Sequence, residues 1–289
     1  MFVILRKRLW LVIRYWIYCL SLRKFKQFMI GIYLSGTGNS KHCIEKLISL
    51  LEENVKCFAL TLNDEEMIVN EIKNSDTIFL AYPTQFSNAP YMVREFIKRN
   101  KDIWKDKKVF CMTTMGLFSG DGTGCAARLL KKYKANIIGG LMLKMPDAVC
   151  DSKLLKKSIE ENRAIIEAAD KRIEDIAKDI KEKNKYPKEG LSFFAHLAGL
   201  FGQRLWFYGK TNKYSNKLKI NLDKCAGCGA CAGSCPMNNL KLVEGHIVAF
   251  DKCTMCYKCI TNCPKQAITC IGKEVIEQCK FEKYYPKDN

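Results

Sequence analysis

The sequence predicts an α/β fold with a doubly wound, five-stranded parallel sheet, followed by a small, cysteine-rich α+β domain. Two observations support this. Strand-like and helix-like stretches alternate through the first half of the chain, which is typical of a parallel sheet with helices on both faces. Near the other end, a unit of 28 residues with four closely spaced cysteines occurs twice, and such a repeat predicts two similar half-modules. With 289 residues, the chain is long enough for two domains.

The five strands of the sheet are predicted from runs of apolar, β-branched or aromatic residues. They cover residues 29–34, 55–60, 77–82, 108–113 and 137–143. Helix-like stretches separate them, so neighbouring strands are expected to be parallel. Ligands of such sheets bind at the carboxyl ends of the strands, which makes the loops after strands one, three and four the candidate sites.

The composition is that of a folded protein, with 48% hydrophobic and 27% charged residues. Sixteen cysteines indicate metal binding and a reducing cytosol, because eight of them fall in two tight runs of regular spacing that disulfides do not favour. The net charge of +18 is uneven: residues 151–184 carry nine basic and nine acidic residues, whereas residues 191–222 carry five basic residues and no acid. Such local basic surfaces favour docking to an acidic partner over nucleic-acid binding.

Residues 1–28 form a basic, aromatic extension with seven basic residues and no acidic one. Arg14 interrupts its apolar run, which argues against a signal peptide and against a membrane-spanning helix. Two interpretations stay open: a helix that lies on a membrane surface, or residues that precede the true start at Met29. The first implies a peripheral membrane contact of an otherwise cytoplasmic protein.

The stretch between the two domains is predicted to be helical. Residues 151–184 favour one long helix, with isoleucines at helical spacing and a length of about 50 Å at 1.5 Å per residue. Residues 191–208 are apolar with polar interruptions, and we interpret them as a connecting helix packed between the domains, the alternative being a membrane contact. His196 is interpreted as a packing residue. The predicted domains are residues 1–28, 29–150, 151–210 and 211–289.

The two cysteine units both have the pattern C-x2-C-x2-C-x3-C-P, at residues 225–236 and 253–264. This pattern is typical of bacterial ferredoxins with two [4Fe-4S] clusters, in which the fourth cysteine of each run ligates the other cluster. Two structural zinc sites are the weaker alternative, because zinc leaves the even spacing and both prolines unexplained. The predicted ligands are Cys225, Cys228, Cys231 and Cys263 for one cluster, and Cys253, Cys256, Cys259 and Cys235 for the other.

The other cysteines have no ligand spacing. Cys270 superposes on Leu242 when the two units are aligned, so it is expected in the core of the domain. Free cysteines are usually small buried hydrophobic residues. On this basis no role is assigned to Cys43, Cys57, Cys111, Cys125, Cys150 or Cys279.

The loop after the first strand, LSGTGNSKHC, opens a helix. It supplies hydroxyl groups at Ser35, Thr37 and Ser40, while Gly36 and Gly38 allow a tight turn. Together with the free N–H groups of the helix N-terminus, these groups form an anion-binding nest. The loop lacks the Gly-Lys-Ser/Thr ending of nucleoside-triphosphate loops and the G-x-G-x-x-G fingerprint of dinucleotide sites. A phosphate monoester is therefore the expected ligand.

The Ser-x-Thr-Gly-Asn-Ser sequence after a first strand resembles the phosphate loop of the flavodoxins. A domain of this kind followed by a paired-cluster ferredoxin domain resembles a family of bacterial and archaeal fusion ferredoxins. The resemblance covers about residues 29–272, and residues 1–28 have no counterpart in it. It implies a flavodoxin-like fold and a bound FMN. The residues implied to bind the FMN phosphate are Ser35, Gly36, Thr37, Gly38, Asn39 and Ser40.

The resemblance also implies that two later loops flank the isoalloxazine ring of FMN. The stretches AYPTQFSNAP and TTMGLFSGDG follow strands three and four, where these loops belong. One alternative is that they are ordinary exposed loops, and another is that the domain binds no flavin. The candidate residues are Phe86 and Phe118 for stacking on the ring, and Thr84, Gln85, Thr114 and Gly116 for hydrogen bonds to its polar edge.

These features predict an electron-transfer iron–sulfur flavoprotein that passes electrons between FMN and two [4Fe-4S] clusters. A flavin takes up two electrons and releases them singly, whereas each cluster carries one. The alternative is a reductase of an organic substrate or quinone that the clusters supply with electrons, but no catalytic acid is recognisable and no catalytic residue is assigned. An acidic redox protein is the expected partner, and no nucleic acid is expected.

Overall fold

The computed structural model describes residues 28–207 and 217–285. The first domain contains a five-stranded sheet in the order β2-β1-β3-β4-β5 in which all neighbouring strands are parallel. This order is that of flavodoxin-like doubly wound folds, so the predicted fold class is confirmed. The strands are β1 (Met29–Tyr33), β2 (Cys57–Ala59), β3 (Thr77–Pro83), β4 (Lys108–Met115) and β5 (Asn136–Lys144).

Helices cover both faces of the sheet. One face buries apolar side chains from α1 and α5, and the other buries those from α2, α3 and α4. Because both faces are covered, the central strand β3 is buried along six of its seven residues and carries an almost continuous apolar sequence. The helices of this domain are α1 (Asn39–Leu51), α2 (Glu65–Lys73), α3 (Tyr91–Arg99), α4 (Gly122–Lys132) and α5 (Ile159–Lys183).

The long helix α5 begins later than predicted. Residues 151–158 are not helical, and the helix starts at Ile159 because Ser158 and Glu161 form a capping box: the Ser158 side chain accepts from the Glu161 N–H, and the Glu161 carboxylate accepts from the Ser158 N–H. Its 25 residues span about 38 Å at 1.5 Å per residue. A buried stripe reaches from Ile166 to Ile180, so the helix stays packed on the sheet domain along its length.

The connecting segment is helical, as predicted, but its middle turn is widened. It consists of α6 (Phe193–Gly199), a π-helical turn (Leu200–Arg204) and α7 (Leu205–Phe207). The segment packs on the loops at the carboxyl edge of the sheet, where Phe207 stacks on Phe86 with ring centroids 4.5 Å apart. Its opposite side leaves large side chains exposed, namely Phe193, Phe194, Phe201, Leu205 and Trp206.

The C-terminal domain consists of the two cysteine repeats, each with a strand, a short helix and a second strand. The first strand of each repeat pairs antiparallel with the second strand of the other. Each two-stranded sheet therefore contains both repeats, and neither repeat completes its fold alone. The elements are β6 (Lys219–Ile220), α8 (Ala230–Ser234), β7 (Leu240–Val243), β8 (His246–Ala249), α9 (Lys258–Asn262), β9 (Ile268–Thr269) and the final helix α10 (Phe281–Tyr284).

Within residues 28–207 and 217–285, we find no helix with the length and apolar content needed to cross a bilayer. The extension at residues 1–28 lies outside the described residues except for Phe28. Its two interpretations, a helix on a membrane surface and a segment before the true start, stay predictions.

Candidate functional site

The first three cysteines of repeat one lie opposite the last cysteine of repeat two. Cys225, Cys228, Cys231 and Cys263 line one cavity. Cys231 is carried by α8 and Cys263 directly follows α9. The exchange of strands between the repeats brings these two helix ends to the same cavity.

The reciprocal set surrounds a second cavity. Its lining includes Cys253, Cys256 and Cys259 from repeat two and Cys235 from repeat one. Cys270 is a fifth cysteine in the lining of this cavity; it is 3% exposed and belongs to the apolar core of the domain, where it was expected. The structure thus brings the eight cysteines of the repeats together in two groups of four.

The donors around both cavities suit an iron–sulfur cluster. Among the described residues, no three Cys, His, Asp or Glu side chains lie close enough together to hold one metal ion; the thiols are spread around each cavity, and a [4Fe-4S] cluster takes four separate cysteine ligands. Among the described residues, the buried side-chain atoms without a hydrogen-bond partner include Asn239 Nδ2 and Thr254 Oγ1. Both residues line the second cavity. Buried polar groups normally have a hydrogen-bond partner. The two atoms therefore indicate that a group bound in the second cavity accepts hydrogen bonds from them.

The chain curls around the two cavities with the same backbone geometry. Gly227 and Met255, at equivalent positions, have φ of 62° and 54°, and Gly229 and Tyr257 have φ of 72° and 63°. Left-handed conformations cost a residue with a side chain about 1–2 kcal/mol. Repeat two adopts them nevertheless, which indicates that the loop requires this curl whatever the residue.

Backbone N–H groups point at two of the sulfurs in matching positions. The Asn239 N–H donates to Cys235 Sγ and the Ala267 N–H to Cys263 Sγ, both at 3.3 Å. Hydrogen bonds of this kind stabilise negative charge on thiolates, and they are one of the factors that set the potential of an iron–sulfur cluster.

Burial makes free thiolates costly in these cavities. It raises the pKa of Cys231, and it raises the pKa of Cys256 to about 12. A bound cation offsets this cost because metal ligation deprotonates a coordinating thiol. A bound metal centre would therefore favour the thiolate form of Cys231 and Cys256 in particular.

The phosphate-loop residues form a compact, mostly buried turn at the carboxyl end of β1. Ser35 Oγ accepts a hydrogen bond from the Gly38 N–H at 3.1 Å, and Gly38 has φ of 104°, a conformation that favours glycine. The hydroxyl groups of Ser40 and Thr114 lie 2.7 Å apart. The first N–H groups of α1 have no acceptor within the helix. The structure thus gathers hydroxyl and N–H donors from the predicted loop and from β4.

The C-terminal domain and the last helix lie against this loop, which the sequence did not predict. A Cβ atom on Gly36 would overlap the carbonyl oxygen of Cys256, and one on Gly38 would lie 2.7 Å from Phe281 Cβ. The Phe281 N–H donates to the Thr37 carbonyl at 2.8 Å. No local pattern identifies Phe281 as a neighbour of the loop, because the contact joins the two ends of the chain.

The loop after β3 contacts the cysteine domain and the connecting segment. Gln85 Nε2 donates to the Thr254 and Met255 carbonyls at 3.0 and 3.1 Å. Thr84 Oγ1 lies 2.8 Å from Ser119 Oγ, which joins this loop to the loop after β4. Phe86, one of the two stacking candidates, lies against Phe207.

The loop after β4 has a more open part. Phe118, the second stacking candidate, is 45% exposed. Gly116 lies near Leu155, whose Cδ1 would be 3.3 Å from an added Cβ. Of the two aromatic candidates, Phe118 therefore has the more accessible ring.

A buried carboxylate that sequence reasoning missed fixes the connecting segment on these loops. Asp121 is fully buried, and its oxygens lie 2.5 Å from Arg128 Nη2, 3.1 Å from Arg204 Nη1 and 3.0 Å from His196 Nδ1. His196 is thus a hydrogen-bonded packing residue, in line with its interpretation. No sequence pattern around Asp121 indicates that three distant or neighbouring side chains bind to its carboxylate.

A second missed carboxylate joins the segment after β5 to the cysteine domain. Asp151 Oδ2 accepts from the N–H groups of Cys270, Ile271 and Gly272 at 2.6, 2.9 and 3.1 Å, and its Oδ1 accepts from the Tyr257 hydroxyl at 2.9 Å. These four bonds satisfy a buried carboxylate and hold the second cavity against the first domain.

Comparison with known proteins gives one family match and several similar solved structures. Residues 212–268 match the family described as a 4Fe-4S dicluster domain. No curated protein sequence matches the chain significantly. Among solved structures, the chain is similar to a flavodoxin from the domain Archaea, with 15% identity over 53% of this chain and 99% of that chain and a TM-score of 0.38. It is also similar to the Megasphaera elsdenii flavodoxin, with 23% identity, 50% and 98% coverage and a TM-score of 0.36.

The sheet order and the dicluster match define the class of protein. The chain combines a flavodoxin-like domain with a C-terminal 4Fe-4S ferredoxin domain. The class is that of iron–sulfur electron-transfer proteins. The predicted flavodoxin–ferredoxin fusion is confirmed at this level.

Proposed function

We propose that the chain passes electrons between an FMN, bound at the loop between β1 and α1, and two [4Fe-4S] clusters. The contact between the two domains is the observation that carries this proposal. The Cys256 carbonyl lies against Gly36 in the phosphate loop, and Gln85 is hydrogen-bonded to the two residues before Cys256. The two candidate cofactor sites are therefore neighbours.

Each cluster is held by three cysteines of one repeat and one of the other. Cavities lined by these cysteines in groups of four support the assignment, as do the N–H groups directed at Cys235 and Cys263. The proposed ligand sets are Cys225, Cys228, Cys231 and Cys263 for the first cluster, and Cys253, Cys256, Cys259 and Cys235 for the second.

The phosphate end of FMN fits the residues at the β1 loop. The buried hydroxyl groups of Ser40 and Thr114 share one hydrogen bond at 2.7 Å, which leaves the proton of one of them free to donate. The N-terminus of α1 adds N–H donors and a favourable dipole. A bound flavin supplies two-electron chemistry that can be released in single-electron steps. The chain itself anchors the phosphate and provides the ring of Phe118. It also holds the carboxyl edge of the sheet next to the loop that carries the ligands of the second cluster.

A second candidate function is an iron–sulfur carrier whose flavodoxin-like domain binds no flavin. Two contacts favour it. Phe207 covers Phe86, and Phe281 covers Gly38 in the phosphate loop. On this view the loop serves only as a docking surface for the cysteine domain.

Purification under anaerobic conditions, with iron and flavin counted per chain, separates these candidates. The proposal predicts about eight iron atoms, as for two cubanes, and about one FMN retained or taken up on titration. If iron is present but no FMN binds, the result contradicts the proposal and supports the second candidate, an iron–sulfur carrier without flavin. Colourless protein that contains zinc would rule out both candidates. The variant Cys111→Ala, at a buried cysteine of β4 outside both cavities, serves as the control for cysteine removal.

A further inference from the structure

The outer side of the connecting segment is apolar. We call its large exposed side chains the apolar face; they are Phe193, Phe194, Phe201, Leu205 and Trp206. Each is between 59% and 80% exposed. Phe201 lies seven residues after Phe194, and Leu205 lies four residues after Phe201, a spacing that places side chains on one side of a helical segment. An exposed cluster of this kind marks an interaction site.

The polar side chains of the same segment point towards the protein. Gln203 Oε1 accepts a hydrogen bond from Ser87 Oγ at 2.8 Å. Arg204 Nη1 and His196 Nδ1 lie 3.1 and 3.0 Å from the carboxylate oxygens of Asp121. In a surface helix the apolar side normally faces the core. The reverse arrangement here fixes the segment through its polar side and leaves the apolar face available to a partner.

The apolar face continues onto the loop after β4. A Cβ atom on Gly202 would lie 3.7 Å from Phe118 Cε1, so this ring is next to the segment. Phe118 is 45% exposed, and its neighbour Leu117 is 71% exposed. A partner that covers the apolar face therefore lies beside the carboxyl edge of the sheet.

The charges around the segment indicate what kind of partner fits. Residues 191–222 carry five basic residues and no acidic one, and Lys217 and Lys219 are exposed. Asp121, the carboxylate that faces the segment, is fully buried. A second copy of the chain, or the equally basic residues 1–28, would bring like charges together. Aromatic and leucine side chains flanked by lysines suit a surface of anionic lipid headgroups.

We propose that the apolar face of the connecting segment binds the surface of an anionic lipid bilayer. Its aromatic and leucine side chains enter the boundary between headgroups and acyl chains, and the lysines that follow the segment contact the lipid phosphates. The contact orients the carboxyl edge of the sheet, with Phe118, towards the bilayer. This inference goes beyond the proposed electron transfer and does not depend on it.

The test is sedimentation of the full-length, anaerobically purified protein with vesicles made of equal parts of phosphatidylcholine and phosphatidylglycerol. The double variant Phe201→Ser, Trp206→Ser should bind at least about tenfold more weakly than the wild type, because burying one such side chain already changes an equilibrium constant by about that factor. Met67→Ser, at a 43% exposed residue of α2, is the matched control and should bind like the wild type. Vesicles of phosphatidylcholine alone, or raised salt, should weaken binding several-fold.

Three results would overturn the inference. The first is that the wild type binds neither kind of vesicle, and the second is that the double variant binds as tightly as the wild type, which would assign the contact to another part of the chain. The third is a dimer, seen by analytical ultracentrifugation, that the double variant loses, because the face would then bind a second copy. Iron content and thermal unfolding are measured on the same samples, and Phe194→Ser replaces the double variant if that variant does not fold. Each of these results leaves the proposed electron transfer standing, since vesicle binding requires neither FMN nor clusters.

Discussion

The carbonyl oxygen of Cys256 lies against the Cα atom of Gly36, so closely that any Cβ at position 36 would overlap it. Gly36 is part of the loop predicted to bind a phosphate, and Cys256 is a proposed cluster ligand. A glycine in this loop therefore has a second role, because it allows the cysteine domain to approach the sheet edge.

Replacing this glycine tests the domain contact. In Gly36→Ala, the methyl group overlaps backbone of Cys256, so we expect the two domains to separate and protease sensitivity of the connecting segment to rise several-fold. Limited proteolysis of the anaerobic protein measures the change. The matched control is Gly233→Ala, since nothing lies within 4 Å of a Cβ at that position. Equal proteolysis of the two variants would contradict the contact.

Exchange of ligands between the repeats gives a prediction for single cysteine variants. Cys235→Ser should alter the cluster held by Cys253, Cys256 and Cys259, whereas Cys263→Ser should alter the one held by the first repeat. Electron paramagnetic resonance of the reduced variants distinguishes the two signals. If each variant instead perturbs the cluster of its own repeat, the ligand sets are not shared.

The affinity for FMN is expected to depend on the hydroxyl group of Ser40 at the β1 loop. Ser40→Ala removes one donor to the phosphate, and hydrogen bonds to charged groups contribute about 1.5–3 kcal/mol, so the Kd for FMN should rise roughly 10-fold or more. Titration followed by flavin fluorescence measures this. Ser49→Ala, at an exposed serine of the same helix, should leave the Kd unchanged. Equal affinities for the two variants would argue against phosphate binding at Ser40.

Asp151 is expected to stabilise the binding site of the second cluster. Asp151→Ala leaves three backbone N–H groups and the Tyr257 hydroxyl without their acceptor. Each buried unsatisfied group costs about 1–3 kcal/mol, so the free energy of unfolding should fall by at least about 3 kcal/mol and iron release to a chelator should accelerate. Tyr257→Phe removes only one of the four bonds and should have a clearly smaller effect. Similar release rates in both variants and the wild type would refute this role.

The parts of the fold that follow local or periodic rules were predictable. The five strands, their parallel order and the exchange between cysteine repeats all follow from residue patterns, because strand periodicity and ligand spacing are written in short segments. The start of α5 could also have been found: Ser158 and Glu161 form the Ser-x-x-Glu pattern of a capping box. The predicted start at residue 151 is wrong because apolar residues at helical spacing do not by themselves mark an N-terminus.

The contacts that position the candidate site could not be predicted in this way. Phe281 contacts Thr37, Asp151 contacts Tyr257, and Ile276 contacts Cys150. Each contact joins residues more than a hundred positions apart, and it depends on how the two domains pack. Composition and spacing contain no information about such pairs.

The proximity of the flavin and cluster sites is tested most directly by the rate at which electrons redistribute within the chain. Protein with FMN and clusters bound is mixed rapidly with a limiting amount of a one-electron reductant, and flavin and cluster absorbance are followed together. Neighbouring sites predict redistribution whose rate is independent of protein concentration and slower in Gly36→Ala. A rate proportional to protein concentration would mean that electrons pass between molecules, and it would contradict the proposed arrangement.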